Sequence, residues 1–188
     1  MTKQNVRGRI IKSLGGFYYV ADSEQKGNII ECRARGAFRQ QNVKPCVGDW
    51  AQVELTPQGK GYVVEIEERK NSLVRPPLAN LDQLVLVVSI ADPAPNAFVL
   101  DKLIAIAEYQ EIEPIIVITK CDLADPEEFA QIYRKAGFTV LETKSLQHEG
   151  IESVMEILKD KTSAFCGNSG VGKSTLLNAL LPDVERET

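Results

Sequence analysis

Between residues 6 and 69 apolar and polar positions alternate in short stretches, at residues 9–12, 17–21, 28–32, 49–55 and 61–66. Gly15-Gly16, Lys26-Gly27, Gly36 and residues 56–59 punctuate them. A period of two broken by turn residues predicts about five short strands. So few strands bury one face and hide their edges only by closing on themselves, which points to an OB-type barrel, with an SH3-like barrel as the structural alternative. The basic pair Arg69-Lys70 and then Pro76-Pro77 follow. Proline denies both a helix and a central strand, so residues 71–80 are read as a linker between a barrel at residues 1–70 and a second domain at residues 81–188.

Beyond residue 81 the pattern changes to strand followed by helix. Strands are predicted at residues 83–90, 114–119, 139–142 and 163–166, and helices at 98–109, 126–136, 151–159 and 173–181. Continuous β-branched runs such as Ile115-Ile116-Val117-Ile118 suit parallel strands covered on both faces. The fold class is therefore an all-β barrel followed by a doubly wound α/β domain. In such sheets ligands bind beyond the carboxyl ends of the strands.

The 188 residues are 44% hydrophobic, enough for a real core. The net charge of −4 conceals an asymmetry: residues 1–75 carry 13 Lys and Arg against 8 Asp and Glu, leaving 9 against 18 for residues 76–188. Only the first half has the balance to face a polyanion. Cys32, Cys46, Cys121 and Cys166 form no C-x-x-C pair and His148 is the single histidine, so no metal-ligand spacing is present. Scattered reduced thiols, a polar segment at residues 1–9 and apolar runs too short to span a bilayer lead us to expect a cytoplasmic protein with no membrane partner.

Two motifs carry chemistry. Gly167-Asn168-Ser169-Gly170-Val171-Gly172-Lys173-Ser174 fits G-x-x-x-x-G-K-[ST] and lies between a predicted strand and a predicted helix. Glycines let backbone amides wrap phosphate oxygens, and the helix presents its positive end. Lys173 is expected to neutralise charge between the β- and γ-phosphates, Ser174 to place its hydroxyl on Mg²⁺, and Thr175 with the loop amides to hold the α- and β-phosphates. The second motif, Thr119-Lys120-Cys121-Asp122, follows a buried strand. Guanine presents N1–H and its 2-amino group as adjacent donors, and the Asp122 carboxylate offers two acceptors to match; adenine presents an acceptor at N1. Lys120 is expected to lay its stem along the base. The loop containing Ser145 and Leu146 offers amides for guanine O6, with a plain polar turn as the alternative. His148, in the same loop, is read as incidental. These residues predict binding of GTP and GDP, with guanine elements preceding the phosphate loop. A site assembled from loops at one sheet edge tolerates that order.

In this permuted order, and through Gly36-Ala37-Phe38-Arg39, Val47-Gly48-Asp49, residues 69–76 and residues 167–178, the chain resembles the ribosome small-subunit-dependent GTPases, the RsgA family, also called YjeQ or YloQ. The resemblance implies an OB barrel, a circularly permuted GTPase domain and a zinc-binding C-terminal domain. It also implies action in late maturation of the small ribosomal subunit, with that subunit stimulating the activity. Two departures stand out. Thr119 occupies a position where Asn is more usual, and residues 182–188 end before the switch threonine, the D-x-x-G element and the Cys/His zinc site that the family carries. The GTPase domain is thus expected to be incomplete here, with apolar surface left uncovered, zinc confined to the absent domain, and poor turnover by this chain alone. Lys173 and Ser174 are the catalytic contributors expected within it. Arg33, Arg35, Arg39 and Lys44 are expected to meet the phosphate backbone of ribosomal RNA, with Phe38 stacking on a base. The expected partner is the small subunit, engaged by a monomer. An adaptor that binds RNA under nucleotide control, with negligible turnover, is the alternative.

Overall fold

Successive side chains of a strand point to opposite faces, so the alternation in the first half folds into one inward and one outward set. The computed structural model describes residues 5–36, 38 and 44–181, and the chain divides into two units at Asn80/Leu81. In the first, β1 (Asn5–Leu14), β2 (Phe17–Asp22), β3 (Ile29–Ala34), β4 (Trp50–Leu55) and β5 (Gly61–Ile66) close in the order β1-β2-β3-β5-β4. All pairs are antiparallel except β3 with β5. That parallel pair belongs to an OB-type barrel and not to an SH3-like meander. A register shift between Ile10 and Lys12 bends β1, which pairs with β4 along its first half and with β2 along its second. Ile10, Val20, Ile30, Cys32, Val53 and Val63 fill the interior.

Residues 71–80, expected as linker, carry structure of their own. β6 (Ser72–Leu73) and β7 (Leu78–Ala79) form a hairpin with Pro76 and Pro77 in its turn, where a missing N–H leaves no ladder bond unmade. Proline excludes a helix and a central strand but not this turn. The Ala79 N–H donates to the Val47 carbonyl at 2.9 Å, and Arg9 Nη2 donates to the Asn80 carbonyl at 3.0 Å. Below the hairpin lies Asp49, fully buried, whose carboxylate accepts Arg69 Nε at 2.7 Å, Arg69 Nη2 at 2.8 Å and the Cys46 N–H at 2.8 Å.

The second unit runs β8 (Gln83–Ser89), α1 (Ala97–Tyr109), β9 (Glu113–Thr119), α2 (Glu127–Lys135), β10 (Thr139–Glu142), α3 (Ile151–Leu158), β11 (Ser163–Cys166) and α4 (Lys173–Leu180). Its strands form a parallel sheet in the order β10-β9-β8-β11. Val85, Val87, Ile115 and Val117 point to the face covered by α3 and α4, through Ile151, Val154, Leu176 and Leu180. Leu84, Leu86, Ile116 and Ile118, the alternate set, are equally buried on the other face. There α1 packs on β8 and β9, and α2 joins it through Tyr133 Oη donating to Asp101 at 3.0 Å. The chain steps outward from β8 to β9 and β10 and then returns to place β11 on the opposite side of β8. The carboxyl ends of β8 and β11 therefore mark the reversal point at which such sheets bind ligands. Beside the edge strand β11, Met155, Leu158, Phe165, Leu177, Leu180 and Leu181 line an apolar groove of about 520 Å³. Among the described residues no helix is long and apolar enough to cross a membrane.

Candidate functional site

The loop after β11 is shaped by two glycines. A Cβ on Gly167 would sit 2.2 Å from the Val87 carbonyl oxygen, so only glycine lets the chain leave β11 alongside β8. Gly172, at φ +91°, caps α4 in a left-handed conformation. Between them Asn168, Ser169 and Gly170 are exposed while Val171 plugs into the core with Val85 and Val87. The N–H groups of residues 168–172 donate to no acceptor among the described residues. Lys173 turns back over the loop, its Nζ donating to the carbonyls of Gly167 at 2.7 Å and Asn168 at 2.5 Å. Ser174 is exposed on the first turn of α4. Vacant amide donors, an ammonium and the positive end of a helix converge here, an arrangement suited to a polyphosphate.

The tetrapeptide Thr119-Lys120-Cys121-Asp122 leaves β9, two strands from β11, yet three contacts tie it to neighbouring loops. Thr119, 2% exposed, donates its hydroxyl to the Val171 carbonyl at 2.6 Å. That hydroxyl ties the end of β9 to the loop after β11. Lys120, at φ +60°, donates its Nζ to the Asp92 carbonyl and, at 2.9 Å, to the Gly170 carbonyl, joining the loop after β8 to the phosphate loop. The Cys121 N–H donates to the Thr143 carbonyl at 3.3 Å, and its half-buried thiol, whose pKa burial raises, turns toward the Ile118 carbonyl. Cys121 thus acts as a spacer. Asp122 is exposed, and its carboxylate accepts no hydrogen bond from the described residues.

Asp122 lies in a cleft of about 190 Å³ lined from one side by Thr119, Lys120 and Leu123, from a second by Ser145 and Leu146, and from a third by Gly172 and Thr175. The amides of Ser145 and Leu146 donate to no acceptor among the described residues, whereas those of Thr143 and Lys144 are bound to the Ile118 and Glu149 carbonyls. Leu123 and Leu146 are 66% and 78% exposed and present apolar walls to a flat ring. Sequence reasoning missed Leu123, for which the available signal is a leucine directly after the carboxylate of a loop motif. His148 does not line the cleft.

The barrel residues expected to meet RNA are dispersed in role. Arg33 lies on the outer face with its guanidinium 4.6 Å from the centre of the Phe17 ring. Arg35 is bound to Glu54 at 2.7 Å. Lys44 is exposed, and its carbonyl accepts Arg69 Nη2 at 2.9 Å. Phe38 requires a correction: at 7% exposure it belongs to the barrel core with Ile10, Val20 and Val53, so its ring is not presented to a nucleobase. Burying that ring removes apolar area that a stacking role would leave in water. Arg39 lies outside the described residues.

Comparison with known proteins places the chain in a family. The "RsgA GTPase" family profile matches residues 66–188, and the "RsgA N-terminal domain" profile matches residues 7–63. A "Small ribosomal subunit biogenesis GTPase RsgA" from Caldanaerobacter subterraneus subsp. tengcongensis is 45% identical over 188 residues, covering 98% of this chain and 63% of that protein. Its counterpart in Bacillus subtilis (strain 168) is 42% identical over 189 residues, with 96% and 63% covered. Among solved structures, YjeQ from Thermotoga maritima superposes with a TM-score of 0.85 at 35% identity, covering 98% of this chain and 68% of that one. YloQ, described as a circularly permuted GTPase, gives 0.80 at 41% identity, with 95% and 65% covered. The chain spans about 63% of the length of the curated relatives it matches. With the two profiles matched along residues 7–63 and 66–188 and curated relatives 42–46% identical over nearly all of it, the chain belongs to the RsgA GTPase family.

Proposed function

We propose that this chain is the GTP-binding part of a GTPase acting in late maturation of the small ribosomal subunit, with its barrel docking on ribosomal RNA. The observation that carries the nucleotide reading is the cleft joining Asp122, the amides of Ser145 and Leu146, and Gly172 with Thr175 of the phosphate loop. Asp122 accepts guanine N1–H and the 2-amino group, the two amides donate to O6, and Leu123 and Leu146 flank the ring with the Lys120 stem. The vacant amides of residues 168–172 receive the α- and β-phosphates, and Lys173 exchanges its carbonyl partners for β- and γ-oxygens. Among the described residues no three His, Cys, Asp or Glu side chains converge. Ser174, on the first turn of α4, would hold Mg²⁺ together with phosphate oxygens and water, the oxygen ligands that ion favours. When bound, Mg²⁺ neutralises charge building on the transferring phosphoryl group. The basic first unit supplies the polyanion-facing surface, and the names of the relatives direct that surface to the small subunit.

Phosphate release by the natural protein containing this sequence, with and without purified small subunits, tests the enzyme reading. Strong stimulation by the subunit is expected. A protein that binds both GTP and subunit yet releases no phosphate above background would be the nucleotide-gated adaptor instead.

A further inference from the structure

The outer face of the barrel carries a row of side chains that no nucleotide chemistry uses. Phe17, Arg33 and Tyr62 are register partners across β2, β3 and β5, so their side chains lie abreast on the outside while Tyr18, Cys32 and Val63 point inward. Phe17 is half-buried beneath the Arg33 guanidinium, and Tyr62 is 42% exposed. Arg33 has no carboxylate partner among the described residues, in contrast to Arg7, Arg35, Lys60 and Arg69. Beside the row is a recess of about 270 Å³, walled by Glu31 and by Gln58 and Lys60 of the loop between β4 and β5. Glu31 and Lys60 hold each other at 2.7 Å at its rim. That volume is just below the ~300–1,000 Å³ range of small-molecule sites, a size for one nucleoside and not for a duplex.

We propose that this recess is a subsite for a single unpaired nucleobase of RNA, stacked on Tyr62 and the Arg33 plane, with Arg33 also neutralising an adjacent phosphate. It rests on the reading of the barrel as the RNA-docking unit, and moves the stacking role from buried Phe38 to the opposite side of the wall. Three observations agree. In OB barrels the face of strands 2 and 3 and the loop between strands 4 and 5 are where oligonucleotides lie. Unpaired bases are held on aromatic rings and guanidinium planes. An arginine without a carboxylate partner among the described residues, beside the exposed Tyr62 ring, complements a polyanion, and Glu31 with Lys60 supplies both an acceptor and donors for a base edge.

The test uses the full chain, fluorescence anisotropy with a labelled single-stranded RNA of mixed sequence, and pelleting with small subunits. Tyr62→Ala is expected to weaken RNA binding about 5- to 150-fold without changing the dependence on salt, the range found for removing one base stack. Arg33→Gln is expected to weaken binding and to reduce the slope of log affinity against log salt by about 0.7. Tyr62→Phe keeps the ring and is expected to bind as the unaltered chain does, which separates stacking from any loss of fold. If the unaltered chain binds RNA and Tyr62→Ala binds it within twofold, the subsite is refuted while the barrel reading stands. Subunit pelleting lost in Tyr62→Ala without any loss of RNA affinity would assign the recess to a protein partner and also refute it. An unaltered chain that binds neither RNA nor subunits would overturn the barrel reading itself.

Discussion

Replacing Thr119 by Val removes one hydroxyl from the joint between the guanine tetrapeptide and the phosphate loop and changes little else in shape. The bond it breaks is 2.6 Å long, between a side chain 2% exposed and the carbonyl of Val171, which is 3% exposed. Water cannot take over there, so the carbonyl loses its partner, at a cost of about 1–3 kcal/mol. For a unit of this size each kcal/mol lowers the midpoint of thermal unfolding by roughly 3–6 °C, so a fall of about 3–18 °C in the second unit is expected. The same bond fixes the spacing between the two halves of the nucleotide site. Its loss therefore lowers the population of binding-competent chain, and a cost of about 1–3 kcal/mol limits the weakening of GTP binding to about 5- to 150-fold. Differential scanning calorimetry and titration with a fluorescent GTP analogue read the two effects, with Thr119→Ser as the control that keeps the donor. Unchanged melting in Thr119→Val, or an equal loss in Thr119→Ser, would refute the reasoning.

Arg69→Met leaves the Asp49 carboxylate buried with only the Cys46 amide, a change of the kind that costs ~3–5 kcal/mol. Because Arg69 is 27% exposed, the lower end applies, and calorimetry should show the barrel melting roughly 10–20 °C lower, with part of the loss recovered by adding Asp49→Asn. Lys173→Ala should weaken GTP binding at least about 100-fold through loss of two or more charge-assisted bonds; unchanged affinity would remove Lys173 from the site. Burial raises the Cys32 thiol to about 12 and the Cys46 thiol to about 11, above the ~8.5 of an unfolded chain. Their contribution to stability is therefore complete below about pH 8.5 and is lost as pH rises through those values; denaturant titrations should be level to that point and decline above it. Alkylation at pH 8 should leave both thiols unmodified until the barrel unfolds.

The strands were legible because their burial follows the period of the side chains. The stretch predicted at residues 61–66 is β5 (Gly61–Ile66), and the β-branched run at residues 115–118 lies inside β9, where it is covered on both faces. The turn after β11 was legible because glycine answers a local demand of the backbone there: a Cβ on Gly167 would meet the Val87 carbonyl oxygen, and Gly172 has a positive φ. What sequence could not supply is partnership between distant segments. Phe38 sits among basic residues and reads as a surface ring, yet the Phe38 amide donates to the Arg35 carbonyl, and the turn this makes carries the ring back into the barrel. Arg35 reads as free charge until β4 brings Glu54 to it. The row of Phe17, Arg33 and Tyr62 appears only once β3 is known to pair in parallel with β5, residues 29 positions apart that no local pattern connects. The bond from Thr119 to the Val171 carbonyl spans 52 positions of sequence, and no local pattern announces it.

Selection of guanine over adenine rests on Asp122. Equilibrium competition between GTP, ATP and XTP, carried out on the unaltered chain and on Asp122→Asn, measures it directly. The unaltered chain should prefer GTP to ATP by at least about 100-fold, because adenine leaves the carboxylate facing an acceptor, and Asp122→Asn should lose GTP affinity while gaining XTP. Equal affinity for GTP and ATP, or an Asp122→Asn variant that keeps its preference for GTP, would contradict it.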